Sequence, residues 1–136
     1  MDQWVLYGKS GNPSSDITKA WFKNNGIPVE ENSLFQLTKK EIEKLASLLP
    51  GGVKSMVYPD AFSYCLINPQ RKTESIYIDK IHGGYLSEEE IANLLVNYPL
   101  LIMTPIVTDY KSVIIGYDLN KLNSTLKYVK VKNVSG

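Results

Sequence analysis

Trp4 to Val29 reads WVLYGKSGNPSSDITKAWFKNNGIPV, and this stretch decides the fold. Gln3–Gly8 (QWVLYG) is a short apolar run closed by a glycine and a turn-rich loop, which predicts a strand. Ser14 or Ser15 is placed to cap a helix, because a hydroxyl there accepts an otherwise unpaired amide of the first turn. That helix turns Ile17, Ala20, Trp21 and Asn24 toward one side, and Gly26 stops it. Pro28 then blocks further helix and biases Ile27 toward an extended backbone, so a second strand follows over IPVEENS. Strand, helix and strand in this order require a right-handed crossover and a parallel pair.

Outward from this unit, Thr38 with Glu41 forms a capping box for the helix of LTKKEIEKLASLLPGG, with Ile42, Leu45, Ala46, Leu48 and Leu49 as its inner face. Pro50-Gly51-Gly52 ends it. Tyr64 and Leu66, then Ile76 and Ile78, alternate with Cys65, Ile67, Tyr77 and Asp79 around the polar run Asn68–Glu74, which predicts a β-hairpin. Ser87 with Glu90 caps another helix, which Pro99 follows. Two apolar runs, Leu101–Val107 and Ser112–Tyr117, flank Asp109-Tyr110-Lys111 and predict an antiparallel pair. Asp118 caps a last helix to Tyr128, striped by Leu119, Leu122 and Leu126. The expected architecture is α/β: a four-stranded mixed sheet with flanking helices and an inserted hairpin or helical middle region. Residues 1–128 form one domain on this reading, with about 50–97 as the inserted part and 129–136 a loose tail.

A chain of 136 residues, 43% hydrophobic, closes one core. Net charge is +1, from 15 basic against 14 acidic side chains, which lacks the basic excess of a nucleic-acid-wrapping domain. No direct nucleic-acid partner is expected. No apolar run approaches the roughly 20 residues that cross a bilayer. MDQWVLYG lacks the basic-then-apolar order of a signal peptide, so a cytoplasmic location without membrane attachment is expected. Cys65 is the single cysteine and His82 the single histidine, which excludes an internal disulfide and an all-cysteine metal site. No metal and no cofactor is expected.

Three strings, LYGKSGNPSSDITKAWFKNNGIPVEE, LTKKEIEKLASLLPGG and NYPLLIMTPIVTDYKSVIIGYDLNKL, resemble the family that holds glutaredoxin-coupled arsenate reductases and the Spx-type transcription regulators of Gram-positive bacteria. The third is the most specific, through Tyr98-Pro99, Leu100-Leu101, Thr104-Pro105, Ile106-Val107 and Gly116-Tyr117. The resemblance spans Trp4–Leu122 except Tyr64–Gly84, and it implies a thioredoxin-like fold. Counting from Tyr7, it places the family's redox cysteine at Asn12 and the second cysteine of the Spx-type pair at Ser15. It places a basic residue near Asp60, and the arginine before the family's proline at Thr104. A helix N-terminus lowers a thiolate's pKa and activates it, but Asn12 has no ionisable proton. Ser15 would need a general base. Losing the arginine also removes a fork suited to an oxyanion. No catalytic residue is therefore expected.

What remains is a docking surface. The resemblance implies contact with the C-terminal domain of the RNA polymerase α subunit, through Gly51, Gly52 and Lys54, through Ser10, Gly11 and Ser14, and through Thr104-Pro105 at the family's cis-proline position. The alternative is an arsenate-reductase-like or glutathione-dependent enzyme, or a glutathione-binding protein, that uses Ser14-Ser15 and Thr104-Pro105. A third reading is a structural domain that self-associates through the predicted hairpin. Residue by residue, Ser14-Ser15-Asp16 reads as capping before anion binding, and Gly51-Gly52 serves equally as a helix stop. Tyr58, Tyr64, Tyr77 and Tyr85 read as core, Cys65 as a small buried side chain, and Lys127, Lys130 and Lys132 as a solvated face.

Overall fold

A computed structural model describes residues 3–127. Its elements are β1 (Val5–Gly8), α1 (Pro13–Asn24), β2 (Glu30–Ser33), α2 (Lys39–Ser47), α3 (Ala61–Ile67), α4 (Ser75–His82), α5 (Glu88–Asn97), β3 (Ile106–Thr108), β4 (Val113–Ile115) and α6 (Leu119–Leu122). They fall into two units: one reaches to Leu34 and resumes at Thr104, and the other is Phe35–Met103. The predicted tail, with Lys130 and Lys132, lies outside the described residues.

The first unit holds a four-stranded sheet in the order β2-β1-β3-β4. β1 runs parallel to β2 with Val5 opposite Glu30, and antiparallel to β3 with Leu6 opposite Val107. β3 returns as β4 with Val107 opposite Ile114. This is the mixed sheet expected from the crossover and the hairpin. Leu6, Val107 and Ile114 stand level on neighbouring strands, so they share one face. Phe22, Leu122, Leu126 and Trp4 complete the buried cluster with them. β2 carries Glu30, Glu31, Asn32 and Ser33 and lies at the sheet edge, where a polar strand discourages further pairing. β3 begins later than predicted. Pro99–Leu101 is a short 3-10 turn and the strand starts at Ile106, after Pro105.

The start and the inner face of α1 differ from the sequence reading. Asn12, not Ser14 or Ser15, is the cap, and Pro13 occupies the first turn, where its missing N–H costs nothing. The buried positions are Ser15, Thr18 and Phe22, while Ile17 is half exposed. The hydroxyls hid the inner face from a hydrophobicity pattern. They are buried because they bond locally, Thr18 Oγ1 donating to the Ser14 carbonyl at 2.7 Å.

In the second unit both capping boxes form as read: Thr38 with Glu41 opens α2, and Ser87 with Glu90 opens α5. α2 buries Ile42, Leu45 and Ala46, but Leu48 is exposed because the helix ends at Ser47. The predicted hairpin is instead a helix, a 3-10 turn over Pro69–Glu74 and a second helix. Asp60 accepts the Ser63 amide at 2.7 Å and starts α3. Burial then follows a helical period, with Ile78 and Ile81 inside while Leu66 and Ile76 face water. The alternation of residue types was real; the burial it implied was not.

Tyr64 is fully buried and donates its hydroxyl to Glu74 Oε1 at 2.8 Å. Arg71 in turn donates to Glu74 Oε2 at 2.8 Å. Tyr58 packs edge-on to Tyr64 at 5.7 Å, and Tyr77 stacks on Tyr98 at 4.7 Å. Tyr85 departs from the core expectation, with 84% of its surface exposed. Burial, and then the Glu74 carboxylate, push the Tyr64 hydroxyl pKa well above the ordinary 10.0. A folded-state pKa raised above the unfolded one stabilises fully below the unfolded value and is lost as pH rises past it. Tyr64→Phe should therefore cost about 1–2 kcal/mol at neutral pH. Urea unfolding at about pH 8 and about pH 11 should show the native protein losing stability more steeply than the variant.

Candidate functional site

β1 ends at Gly8, and the chain reaches α1 through Lys9-Ser10-Gly11-Asn12. Asn12 Oδ1 accepts from the Ser15 amide at 2.9 Å and from Ser15 Oγ at 3.0 Å. Ser15 Oγ accepts from the Lys9 amide at 3.3 Å, which closes the loop on itself. Both side chains are buried. Gly8 permits this closure: a Cβ there would stand 2.9 Å from Ser15 Oγ. Ser10 and Gly11 are exposed on the loop, and Ser14 is half-buried.

The sheet register brings Thr104-Pro105 to this loop. Tyr7 pairs with Ile106, so Pro105 stands level with Gly8, one step further on. The Thr104-Pro105 peptide is cis, Thr104 is buried, and the Pro105 carbonyl accepts the Gly116 amide at 2.7 Å. Tyr7 and Tyr110 share a hydroxyl hydrogen bond of 2.6 Å, a contact missed because the two are 103 positions apart in sequence. Only the φ of +66° at Tyr110 marks that turn as unusual, and no pattern of residue types shows it.

Chemically the loop is satisfied. A carboxamide carries no thiolate, and the Ser15 hydroxyl gives its hydrogen to that carboxamide, which is no base. His82 belongs to the second unit, where its Nε2 bonds the Tyr58 carbonyl at 2.8 Å. Among the described residues no buried side-chain polar atom lacks a partner, and no cluster of His, Cys, Asp and Glu suits a metal ion. No helix among them is long and apolar enough to cross a membrane.

In the second unit Gly51 and Gly52 follow α2 and lead into a 3-10 turn that contains Lys54. Gly52 has φ +68°, a region open to glycine but strained for other residues. Glu88, from the first turn of α5, accepts the Val53 amide at 3.1 Å. A methyl group on Gly52 would come within 2.5 Å of the same carboxylate oxygen. Glu88 had no signal in the sequence beyond its place after a helix cap. Glu43, Ala46, Leu49, Gly52, Glu88 and Ala92 line an open cleft of about 370 Å³ there. Asp60 stands apart from this turn as the cap of α3, and the Ser63 amide lowers its carboxyl pKa. Cys65 is a half-buried thiol on α3.

No protein-family profile matches the chain. It is 27% identical over 134 residues to the regulatory protein MgsR of Bacillus subtilis, a match that covers 97% of this chain and 94% of that one. It is 26% identical over 110 residues to the global transcriptional regulator Spx of Streptococcus pneumoniae, covering 79% and 74%. The chain is a homologue of the Spx and MgsR regulators. The arsenate reductase of Vibrio cholerae superposes with a TM-score of 0.66 at 20% identity, over 93% of this chain and 97% of that one. An ArsC-family-related protein of Bacteroides fragilis gives 0.67 at 17% identity, over 90% and 96%. The fold of this Spx homologue is thus thioredoxin-like, of the arsenate reductase type.

Two substitutions test these geometries. Asn12→Ala strands the Ser15 amide and hydroxyl together, and thermal or urea unfolding should show a loss of about 1–2 kcal/mol. Gly52→Ala forces a side chain into positive φ and against Glu88, and unfolding should show a loss of about 1–3 kcal/mol. In a Glu88→Ala background, which itself loses the Val53 hydrogen bond, Gly52→Ala should cost less than in the native chain, the difference being the steric part.

Proposed function

We propose that this Spx homologue is a transcription-regulator-type protein that acts by protein contact and without a thiol switch. The observation that carries this reading is the closed hydrogen-bond set of Asn12, Ser15 and the Lys9 amide. At the position where the resemblance implies a reactive sulfur, the helix N-terminus is occupied by a neutral cap. The single thiol of the sequence, Cys65, is half-buried in α3 of the other unit. The names of the MgsR and Spx relatives favour regulation over catalysis.

The partner we propose is the C-terminal domain of the RNA polymerase α subunit. Gly51, Gly52 and Lys54 offer it the turn that follows α2, with Gly51 exposed and the lysine within the 3-10 turn. Ser10, Gly11 and Ser14 form the second contact region, where exposed loop backbone adjoins the end of β1, and the buried Thr104-Pro105 segment stands level with that end. Neither region requires a cofactor.

Calorimetry of the purified chain with the isolated α C-terminal domain tests both halves of the proposal. Binding should be measurable, should weaken about tenfold in Lys54→Glu, and should change less than about twofold with the thiol oxidant diamide or in Cys65→Ser. Failure to bind overturns the partner, and binding abolished by diamide overturns the thiol-independent mechanism. Glutathione and arsenate should give no heat under the same conditions.

A further inference from the structure

Asn25-Gly26 closes α1, and no other asparagine of the sequence precedes a glycine. Asn25 is the C-cap, and Gly26 follows it with φ +66°. The Gly26 amide donates to the Lys23 carbonyl at 3.2 Å, and the Ile27 amide donates to the Phe22 carbonyl at 3.0 Å. These are the two bonds of a Schellman cap, and the apolar contact that accompanies such a cap is present too. Phe22 belongs to the buried cluster on the sheet, and Ile27 packs against that cluster. Asn25 adds a bond of its own: Nδ2 donates to the Trp21 carbonyl at 2.8 Å, which also accepts the Asn25 backbone amide at 3.1 Å.

An asparagine before a glycine carries its own reaction. The glycine nitrogen, once a base has taken its proton, attacks the asparagine Cγ; the N–Cγ bond forms, the Cγ–Nδ2 bond breaks, and the side-chain nitrogen leaves as ammonia. Water then opens the succinimide ring at either carbonyl and gives aspartate or isoaspartate. Glycine favours the closure because no side chain shields its nitrogen and its backbone turns freely. In the folded chain the parts of this reaction are held apart. The nucleophile is engaged by Lys23 and the leaving amide by Trp21. A ψ of 3° at Asn25 eclipses the Gly26 nitrogen with the residue's own nitrogen, so that bond must rotate before the nitrogen meets the side chain. Asn25 is only half-buried, and Asn24 and Gly26 beside it are exposed. Water and base therefore reach the pair once the last turn of α1 opens, and helix ends open more readily than cores.

We propose that Asn25 is a covalent modification site of this chain, converted to isoaspartate and aspartate through an opened α1 C-cap, with the Lys23 and Trp21 carbonyls as its lock. Both products damage the cap that admitted the reaction. A carboxylate has no hydrogen to give the Trp21 carbonyl, and it adds negative charge where the helix dipole disfavours it. Isoaspartate also routes the backbone through Cβ, so the Gly26 and Ile27 amides no longer fall on Lys23 and Phe22 together. Because α1 leads into β2 through these residues, the change falls on the crossover behind the parallel β1–β2 pair.

Ageing the full chain at mildly alkaline pH in heavy-oxygen water tests this, with digestion by trypsin in ordinary water and mass spectrometry of the peptide 24–39. The folded chain should take up label at Asn25, divided between an isoaspartate and an aspartate form. The same chain unfolded in urea should do so about tenfold faster or more, because the opening step is then removed. Ile27→Ala trims the residue packed behind the cap and should raise the folded rate about three- to tenfold, with the rate in urea unchanged. Asn25→Asp, which mimics one product, should lower the folding equilibrium constant about two- to fivefold. No label at Asn25 in the folded chain after weeks of ageing would overturn the site. Equal rates in the folded chain and in urea would overturn the lock, and so would an Ile27→Ala chain that reacts no faster than the native one. Should Ile27→Ala fail to fold, the comparison of the native chain with and without urea still decides. No partner protein is present, so the result is independent of the contact proposed above.

Discussion

A single carboxamide oxygen governs the N-terminal end of α1. Asn12 Oδ1 takes both the amide and the hydroxyl of Ser15, and that hydroxyl takes the amide of Lys9. A helix start leaves several N–H groups without intrahelical partners, and a buried start must satisfy them or lose stability. Here the chain does so with its own side chains, in a space left open by the absent side chain of Gly8. The end of β1, the loop and the first turn of α1 become one hydrogen-bonded unit. Ile106 opposite Tyr7 then fixes where Thr104-Pro105 meets it.

Where sequence and structure agree, the controlling interactions are local. Thr38 with Glu41 and Ser87 with Glu90 are complete within four residues, so the starts of α2 and α5 were visible in composition alone. The crossover and the hairpin were visible because connection length and handedness leave few alternatives for β1, β2, β3 and β4. Where they disagree, a nonlocal term decides. Period-two alternation around residues 64–78 suits a strand only if a sheet edge is available to pair with it. Asp60 instead nucleates a helix, and Tyr64 finds its hydroxyl partner ten positions on, at Glu74.

The site was legible in a similarly divided way. That the loop before α1 would lack a thiol followed from the positions of the residues. That Asn12 would be the cap did not, since Asn, Ser and Ser compete for that role within four positions, and Pro13 decides by fitting the first helical turn. Glu88 was invisible for a different reason. It reaches Val53 across 35 positions, and a glutamate in the first turn of a helix is already explained by the helix dipole. Glycine at 52 and glutamate at 88 therefore look independent in sequence while sharing one small volume in the fold.

The cap and the thiol of a redox relative are competing uses of one electrostatic feature. The amides at a helix N-terminus stabilise negative charge, and a thiolate placed there converts that stabilisation into reactivity. A neutral carboxamide converts it into local rigidity instead, because hydrogen bonds that hold the loop closed cannot also be offered to an incoming anion. Installing thiol chemistry here would therefore take more than placing a sulfur at position 12. The Ser15 amide and hydroxyl would also need new acceptors, and Thr104 carries no charge and so cannot supply the positive fork suited to an oxyanion. In this chain the helix start is given over to the cap, and Asn12, Ser15 and the Lys9 amide use its hydrogen-bonding capacity among themselves.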